Sequence, residues 1–180
     1  MARRGPRIVK RAKKRGARIF FLDEAGIVSD AVLGATWGEK GSTPEVQTSG
    51  QRQKVKAISA VSPKGEFLFD IFTGRFNAAF FIQILKKFTR RFRSPSFFVV
   101  DGHPAHRAKV VQALIQATRG KIELYFLPPY APDLNPDEFV WNHVKRNGTS
   151  KRPLRKNESL RKRVAKDLRA IKPKKSSCPR

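Results

Sequence analysis

Hydrophobic positions along this chain follow two rhythms, one repeating every second residue and one every three or four. Ile19-Phe20-Phe21-Leu22 is a compact apolar run and reads as a buried strand over residues 18–27. From 54 to 61, Val55, Ala57, Ser59 and Val61 alternate with Lys56, Ile58 and Ala60. Ser62-Pro63-Lys64-Gly65 supplies a turn, after which Phe67, Phe69 and Ile71 alternate with Leu68, Asp70 and Phe72. Two alternating runs about a turn predict an antiparallel hairpin. The period then changes. Phe81, Leu85, Phe88 and Phe92 recur at helical spacing after a capping residue, Asn77, and Ser94-Pro95 ends the pattern.

Ser96-Phe97-Phe98-Val99-Val100 is a short apolar strand that stops at Asp101-Gly102. A helix from about His106 to Thr118 is expected to bury Val110, Val111, Leu114 and Ile115, and Gly120 ends it. Residues 122–127 form another strand. Asn135-Pro136-Asp137-Glu138 opens a helix through about Arg146, with Asn as cap, Pro at the first helical position and acids in the first turn. A weaker basic helix spans Glu158–Ile171, and the Gly/Ser/Thr-rich stretch 28–52 reads as loop with room for one short strand. Three antiparallel strands followed by alternating strand–helix units predict an α/β fold, a mixed sheet with helices on both faces. That order matches the ribonuclease H-like arrangement.

Composition narrows the partners. The chain has 180 residues, enough for one domain, and 39% of them are hydrophobic, so a packed core is expected. The single cysteine, Cys178, excludes an intrachain disulfide and a Cys-rich zinc site. No apolar run approaches the roughly 18 residues needed to cross a bilayer. These features predict a soluble intracellular protein without a membrane partner. The net charge is +25, and it is unevenly spread. Residues 1–18 carry +9, residues 145–180 carry +13, and the stretch between carries only +3. Residues 1–17 read as a flexible basic arm, 18–148 as the folded domain and 149–180 as a basic helix and tail. Cationic ends of this kind are expected on a protein that binds a polyanion such as DNA or RNA. Arg11, Lys13, Lys14, Arg15, Lys145, Arg146, Lys151 and Arg152 are the basic candidates for that contact, and Trp37 in its Gly/Thr-rich loop is an aromatic one.

Three carboxylates stand where an ionised side chain is costly or functional. Asp23 follows four apolar residues inside the first strand. Asp101 sits at the carboxyl end of a central strand, where sites form in open α/β sheets. Glu138 lies in the first turn of the helix after the last strand. If the first and fourth strands are neighbours, Asp23 and Asp101 lie side by side, and a divalent cation would relieve their repulsion. A few hard oxygen ligands select Mg²⁺ or Mn²⁺. A third carboxylate would complete a two-metal site for phosphoryl transfer. Each residue also has a plainer role: Asp101-Gly102 is a turn dipeptide, Glu138 can complete a capping box with Asn135, and Glu24 replaces Asp23 if the register slips by one.

The segments Phe21-Leu-Asp23-Glu-Ala-Gly26, Val99-Val-Asp101-Gly-His-Pro-Ala-His106 and Leu127-Pro-Pro-Tyr-Ala-Pro-Asp-Leu-Asn-Pro-Asp-Glu138-Phe-Val-Trp141 resemble the DDE catalytic domain of bacterial insertion-sequence transposases, in the mariner-related IS six-thirty family. Trp37 and Gly41-Ser-Thr-Pro44 also resemble a motif of these proteins. The 36 residues between Asp101 and Glu138 are close to the spacing usual there. The resemblance covers about residues 18–170. It implies that Asp23, Asp101 and Glu138 are the catalytic triad and hold two Mg²⁺ or Mn²⁺ ions. It further implies cleavage at transposon ends and attack of the freed 3′-hydroxyl on target DNA at a TA step, in a bacterial cytoplasm on the nucleoid. Pairing two ends implies a homodimer by analogy.

Members of that family carry a helix-turn-helix region ahead of the catalytic domain. Here the first strand begins near residue 18, which leaves the second frame of a frameshifted element, partnered by an upstream helix-turn-helix product, or a fragment. Two other functional readings remain: a ribonuclease H-like nuclease without strand transfer, and a non-catalytic DNA-binding remnant. His106 is expected to orient Asp101 or a phosphate, against the plainer role of an ordinary helix residue. Trp141 is expected to anchor its helix to the core.

Overall fold

The computed structural model describes residues 4–29, 53–128, 135–147, 154–155 and 157–171. The order of elements is α1 (Arg4–Arg15), β1 (Arg18–Val28), β2 (Lys54–Val61), β3 (Phe67–Phe72), α2 (Ala78–Thr89), β4 (Ser96–Val100), α3 (Pro104–Arg107), α4 (Lys109–Ala117), β5 (Ile122–Phe126), α5 (Asp137–Asn147) and α6 (Leu160–Ala170). Among the described residues no helix is long and apolar enough to cross a membrane.

The strands form one mixed sheet in the order β3-β2-β1-β4-β5. β1, β2 and β3 are antiparallel, whereas β1, β4 and β5 run parallel. Each strand alternates between two faces, so the sheet divides the molecule into two cores. Phe20 and Leu22 of β1, Ile58 and Ala60 of β2, and Phe98 and Val100 of β4 face one side. There they meet Phe81, Ile84, Leu85 and Phe88 of α2 and Val111 of α4. Ala25 and Ile27 of β1, Val55 and Ala57 of β2 and Ile71 of β3 face the other side. Val140, Trp141 and Val144 of α5 and Leu160, Val164 and Leu168 of α6 cover them. The expected two-sided α/β sheet is therefore present, and Trp141 is a core residue.

Four local expectations change. The helical stripe of α2 stops at Thr89, whose hydroxyl donates to the Leu85 carbonyl at 2.6 Å. Phe92 lies beyond the helix yet still stacks near Phe20, at 5.4 Å between ring centres. The helix expected over 106–118 is broken at Ala108, which adopts an extended conformation between α3 and α4. Val111, Leu114 and Ile115 face the sheet, and Val110 falls beside that stripe, 58% exposed.

The amino-terminal segment is not a flexible arm but a helix, α1, docked on the edge of the sheet. Arg11 and Arg15 both pair with Glu123 of β5, at 3.0 and 2.5 Å, and Ala12 is buried beneath them. Two of the arm's charges are thereby neutralised, which removes part of the self-repulsion that argued for disorder. At the other end, α6 is no appendage to a domain ending at 148. Leu160, Val164 and Leu168 form one apolar stripe within a basic helix, and Arg163 turns inward to pair with Glu158, its Nε 2.8 Å from Oε1.

Candidate active site

β1 lies at the centre of the sheet, pairing with β4 over Arg18–Phe21 and with β2 over Phe21–Val28. Its parallel pairing with β4 sets Phe21 opposite Val99. Two residues beyond that pair stand Asp23, within β1, and Asp101, one residue past the carboxyl end of β4. On its other side β1 pairs with β2, and there Asp23 is directly opposite Ser59. Strand alternation places both Asp23 and Ser59 on the face covered by α5. Helix α5 brings in Asp137 and Glu138 at its first turn.

The electrostatics report the same convergence. Burial is the main force raising the Asp23 carboxyl, to about 6, and the negative charges of Asp101, Glu138 and Glu24 add to it, while the Glu24 backbone N–H offsets part. Asp23 thus feels both other predicted carboxylates. Asp101 behaves oppositely. His106 Nδ1 lies 2.9 Å from its Oδ1, and this hydrogen bond, with a second from the His103 N–H at 3.0 Å, holds the Asp101 carboxyl below its ordinary value despite partial burial. His106 is itself buried, its ring 4.4 Å from that of Phe81 and 5.4 Å from that of Phe76. His106 thus meets Asp101 from the helix that follows β4. Among the described residues its Nε2 makes no hydrogen bond.

Glu24 points to the opposite face from Asp23, as alternation requires. Burial raises its carboxyl, partly offset by Lys56 and by His103 and His106. Its Oε2 is buried without a hydrogen-bond partner, and Lys56 Nζ lies 4.0 Å from Oε1. Glu24 is therefore nearer the histidine side of the crest, and Asp23 the α5 side.

Sequence reasoning missed two residues beside these. Ser59 and Asp137 are fully buried, and the Ser59 hydroxyl lies 2.8 Å from both carboxyl oxygens of Asp137. Burial pushes the Asp137 carboxyl well above its ordinary value and the charge of Asp23 adds to this, against the pull of Ser59 and the Asp23 N–H. Asn135 Oδ1 accepts from the Asp137 N–H at 3.2 Å, so Asn135 does cap the helix, which begins one residue later than expected. The signal for Ser59 was a hydroxyl amid the apolar alternation of β2. For Asp137 it was masked, because an acid in a first helical turn already has a helix-dipole explanation.

The carboxylate oxygens of Asp23, Asp101 and Glu138 are the hard donors that Mg²⁺ and Mn²⁺ take, and the Asp23 carboxyl, raised chiefly by burial and further by its acidic neighbours, is one whose charge a cation would relieve. The donor chemistry fits a divalent cation. Among the described residues, however, no group of three or more His, Cys, Asp or Glu side chains is arranged tightly enough to hold one as it stands. Of the predicted DNA contacts, Arg11 and Arg15 are engaged by Glu123, and Lys13, Lys14 and Lys145 are exposed. Trp37, Lys151 and Arg152 lie outside the described residues, as does the side chain of Arg146.

A five-stranded mixed sheet with acids at the carboxyl end of its central parallel pair defines a ribonuclease H-like domain of the α/β class. Residues 18–161 match the model of the DDE superfamily endonucleases, and the chain belongs to that family. It is 23% identical over 157 residues to the insertion element IS630 uncharacterized 39 kDa protein of Shigella sonnei, covering 86% of this chain and 46% of that protein. Its fold is similar to a Mos1 transposase paired-end complex with left transposon end, with a TM-score of 0.69 at 18% identity, covering 93% of this chain and 53% of that one. The Mos1 mariner paired end complex with Mn gives a TM-score of 0.68 at 19% identity, with 93% and 53% covered. The chain thus spans about half the length of these relatives.

Proposed function

We propose that this domain performs metal-dependent DNA strand cleavage at transposon ends and joins the resulting 3′-hydroxyl to target DNA. Asp23, Asp101 and Glu138 would hold two Mg²⁺ or Mn²⁺ ions. The observation that carries the proposal is the parallel pairing of β1 with β4 just ahead of Asp23 and Asp101, together with the charges of Asp101 and Glu138 that reach Asp23. Bound cations would activate the attacking water or 3′-hydroxyl and stabilise charge on the leaving oxygen.

The chain's own residues contribute orientation and charge. His106 fixes the Asp101 carboxylate from one side, leaving its other oxygen for a cation. Burial of Asp23 disfavours its lone negative charge, so a cation that arrives there displaces a proton and is favoured by the desolvation the fold has already imposed. The exposed Lys13, Lys14 and Lys145 supply the sequence-independent attraction for phosphate that DNA binding requires. Recognition of particular ends, a TA target, a homodimer and a helix-turn-helix partner belong to the same proposal. The Mos1 paired-end complex with transposon end, as a fold relative, supports DNA ends as the partner, and the other features rest on the family resemblance alone.

The test uses the full chain and a short duplex with a recessed 3′-hydroxyl, incubated with supercoiled DNA and Mg²⁺ or Mn²⁺. Nicked and joined products are expected, and Asp101→Asn and Glu138→Gln should remove both. Full activity in either variant would sink the assignment, while nicking without joined strands would reduce it to a nuclease.

A further inference from the structure

We propose that Ser59 and Asp137 are a positioning pair, whose buried hydrogen bond sets the angle at which α5 carries Glu138 toward Asp23. The inference rests on the reading of Asp23, Asp101 and Glu138 as the cation site. Three placements support it. Ser59 is the cross-strand partner of Asp23, so anything fixed to Ser59 is fixed relative to Asp23. Asp137 immediately precedes Glu138, so a rotation of α5 that moves one moves the other. The hydroxyl of Ser59 lies 2.8 Å from both oxygens of Asp137, with neither residue exposed to water.

Apart from this pair and the Asp23 N–H, which also reaches the Asp137 carboxyl, the grip of α5 on the sheet is apolar, through Val140, Trp141 and Val144. Apolar contact resists separation but is non-directional, so it tolerates sliding and rotation. Burying a hydroxyl and a carboxyl has a desolvation cost, and a matched apolar pair would often hold the helix as firmly. What the polar pair adds is direction. Asn135, which accepts from the Asp137 N–H, fixes the same turn from its open end. Glu138 is thus aimed by a first turn held at two points, one of them on the strand beside Asp23.

The test measures Mn²⁺ affinity of the full chain by the paramagnetic resonance of free Mn²⁺, with thermal melting alongside. Wild type should bind, and Asp101→Asn should not. Ser59→Ala is expected to weaken Mn²⁺ binding about 10-fold or more, the range seen when residues supporting metal ligands are removed. Ser59→Thr and Asp137→Asn, which keep a hydrogen-bonding pair, should bind within about threefold of wild type, well short of that range. The double variant Ser59→Ala/Asp137→Leu removes both polar side chains, leaving only the Asp23 N–H without its carboxyl partner, and guards against a fold that fails in the single variant. It should melt near wild type yet bind Mn²⁺ as weakly as Ser59→Ala. Wild-type affinity in Ser59→Ala or in the double variant would overturn the positioning role alone. Loss of binding in Asp137→Asn as complete as in Asp101→Asn would make Asp137 a ligand and overturn it as well. Absence of Mn²⁺ binding in wild type would bring down the cation site and this inference together.

Discussion

The two faces of the sheet are built on opposite terms. The face under α2 and α4 is closed by Phe20, Phe81, Phe88 and Phe98 with aliphatic side chains between them, and apart from Glu24 at the crest the central strand positions pointing into it are apolar. The face under α5 and α6 has its own apolar core, but its upper end holds Ser59, Asn135 and Asp137, all buried, beside Asp23. Further out, the same face carries Glu123 under α1. The first face therefore supplies cohesion, and the second accepts buried charge that works against cohesion. Proteins commonly carry such a cost where a site must be held ready.

Substitutions on the two faces should separate activity from stability. The largest effect expected is on Asp23. Asp23→Asn should lower metal-dependent DNA cleavage by about 10³-fold, as when a preorganised charged group is removed from a reacting centre. Without divalent metal it should make the protein more stable, not less. The Asp23 carboxyl is raised to about 6, so its ionised form opposes folding above that pH. The stability it allows is complete below its unfolded value of 3.8 and falls as pH rises through about 6. The gain in Asp23→Asn should accordingly be about 1–2 kcal/mol at pH 7.5 in chelator and vanish near pH 4, as read by melting at both pH values. An Asp23→Asn protein that melts lower than wild type at pH 7.5 would mean the second face is not under electrostatic load.

Phe98 tests the first face. It is completely buried between strand and helix and stacks with Phe20 at 5.6 Å. Phe98→Ala should cost about 3–5 kcal/mol in chemical denaturation, through lost burial and the cavity left behind. At a temperature where the variant remains folded, its cleavage rate should stay within a few-fold of wild type, because Phe98 touches none of the carboxylates. A rate loss comparable to that in Asp23→Asn would erase the distinction between the faces.

This contrast also explains what the sequence could reveal. The first face was legible nearly residue by residue, because a single period governs each element: Phe81, Leu85 and Phe88 define α2, and Asn77 does accept from the Phe80 N–H at 2.9 Å. The adjacency of Asp23 and Asp101 followed from strand order once the sheet was assigned. What failed was of two kinds. Val110 was expected inside because it adjoins the apolar stripe of Val111, Leu114 and Ile115, but it falls at the edge of that stripe and is exposed. The docking of α1 and the Ser59–Asp137 bond depend on partners 108–112 and 78 residues away, which local pattern does not encode. Glu123 in particular sits in an otherwise apolar strand, and its meaning appears only when two arginines arrive from the other end of the chain.

Glu123 supplies the smallest and last test, at the margin of the second face. Burial pushes its carboxyl up, but hydrogen bonds from Arg11 and Tyr125 and the charges of Arg11 and Arg15 outweigh this and hold it below its ordinary value. A depressed carboxyl stabilises the folded state fully above its unfolded value of 4.5, and that stabilisation is lost as pH falls through the lower folded value. Arg11 is more than half exposed, so solvent screens the pair, and Glu123→Gln should cost only about 1 kcal/mol at pH 7. The difference in melting temperature between wild type and Glu123→Gln should shrink on acidification below pH 4.5 and in high salt. Hydrogen exchange at Lys10–Lys14 should quicken in the variant while β4 stays protected, because only the edge helix is released. Uniform loss of protection across β4 would instead make α1 part of the structural core and Glu123 a member of the cohesive machinery rather than of the charged face.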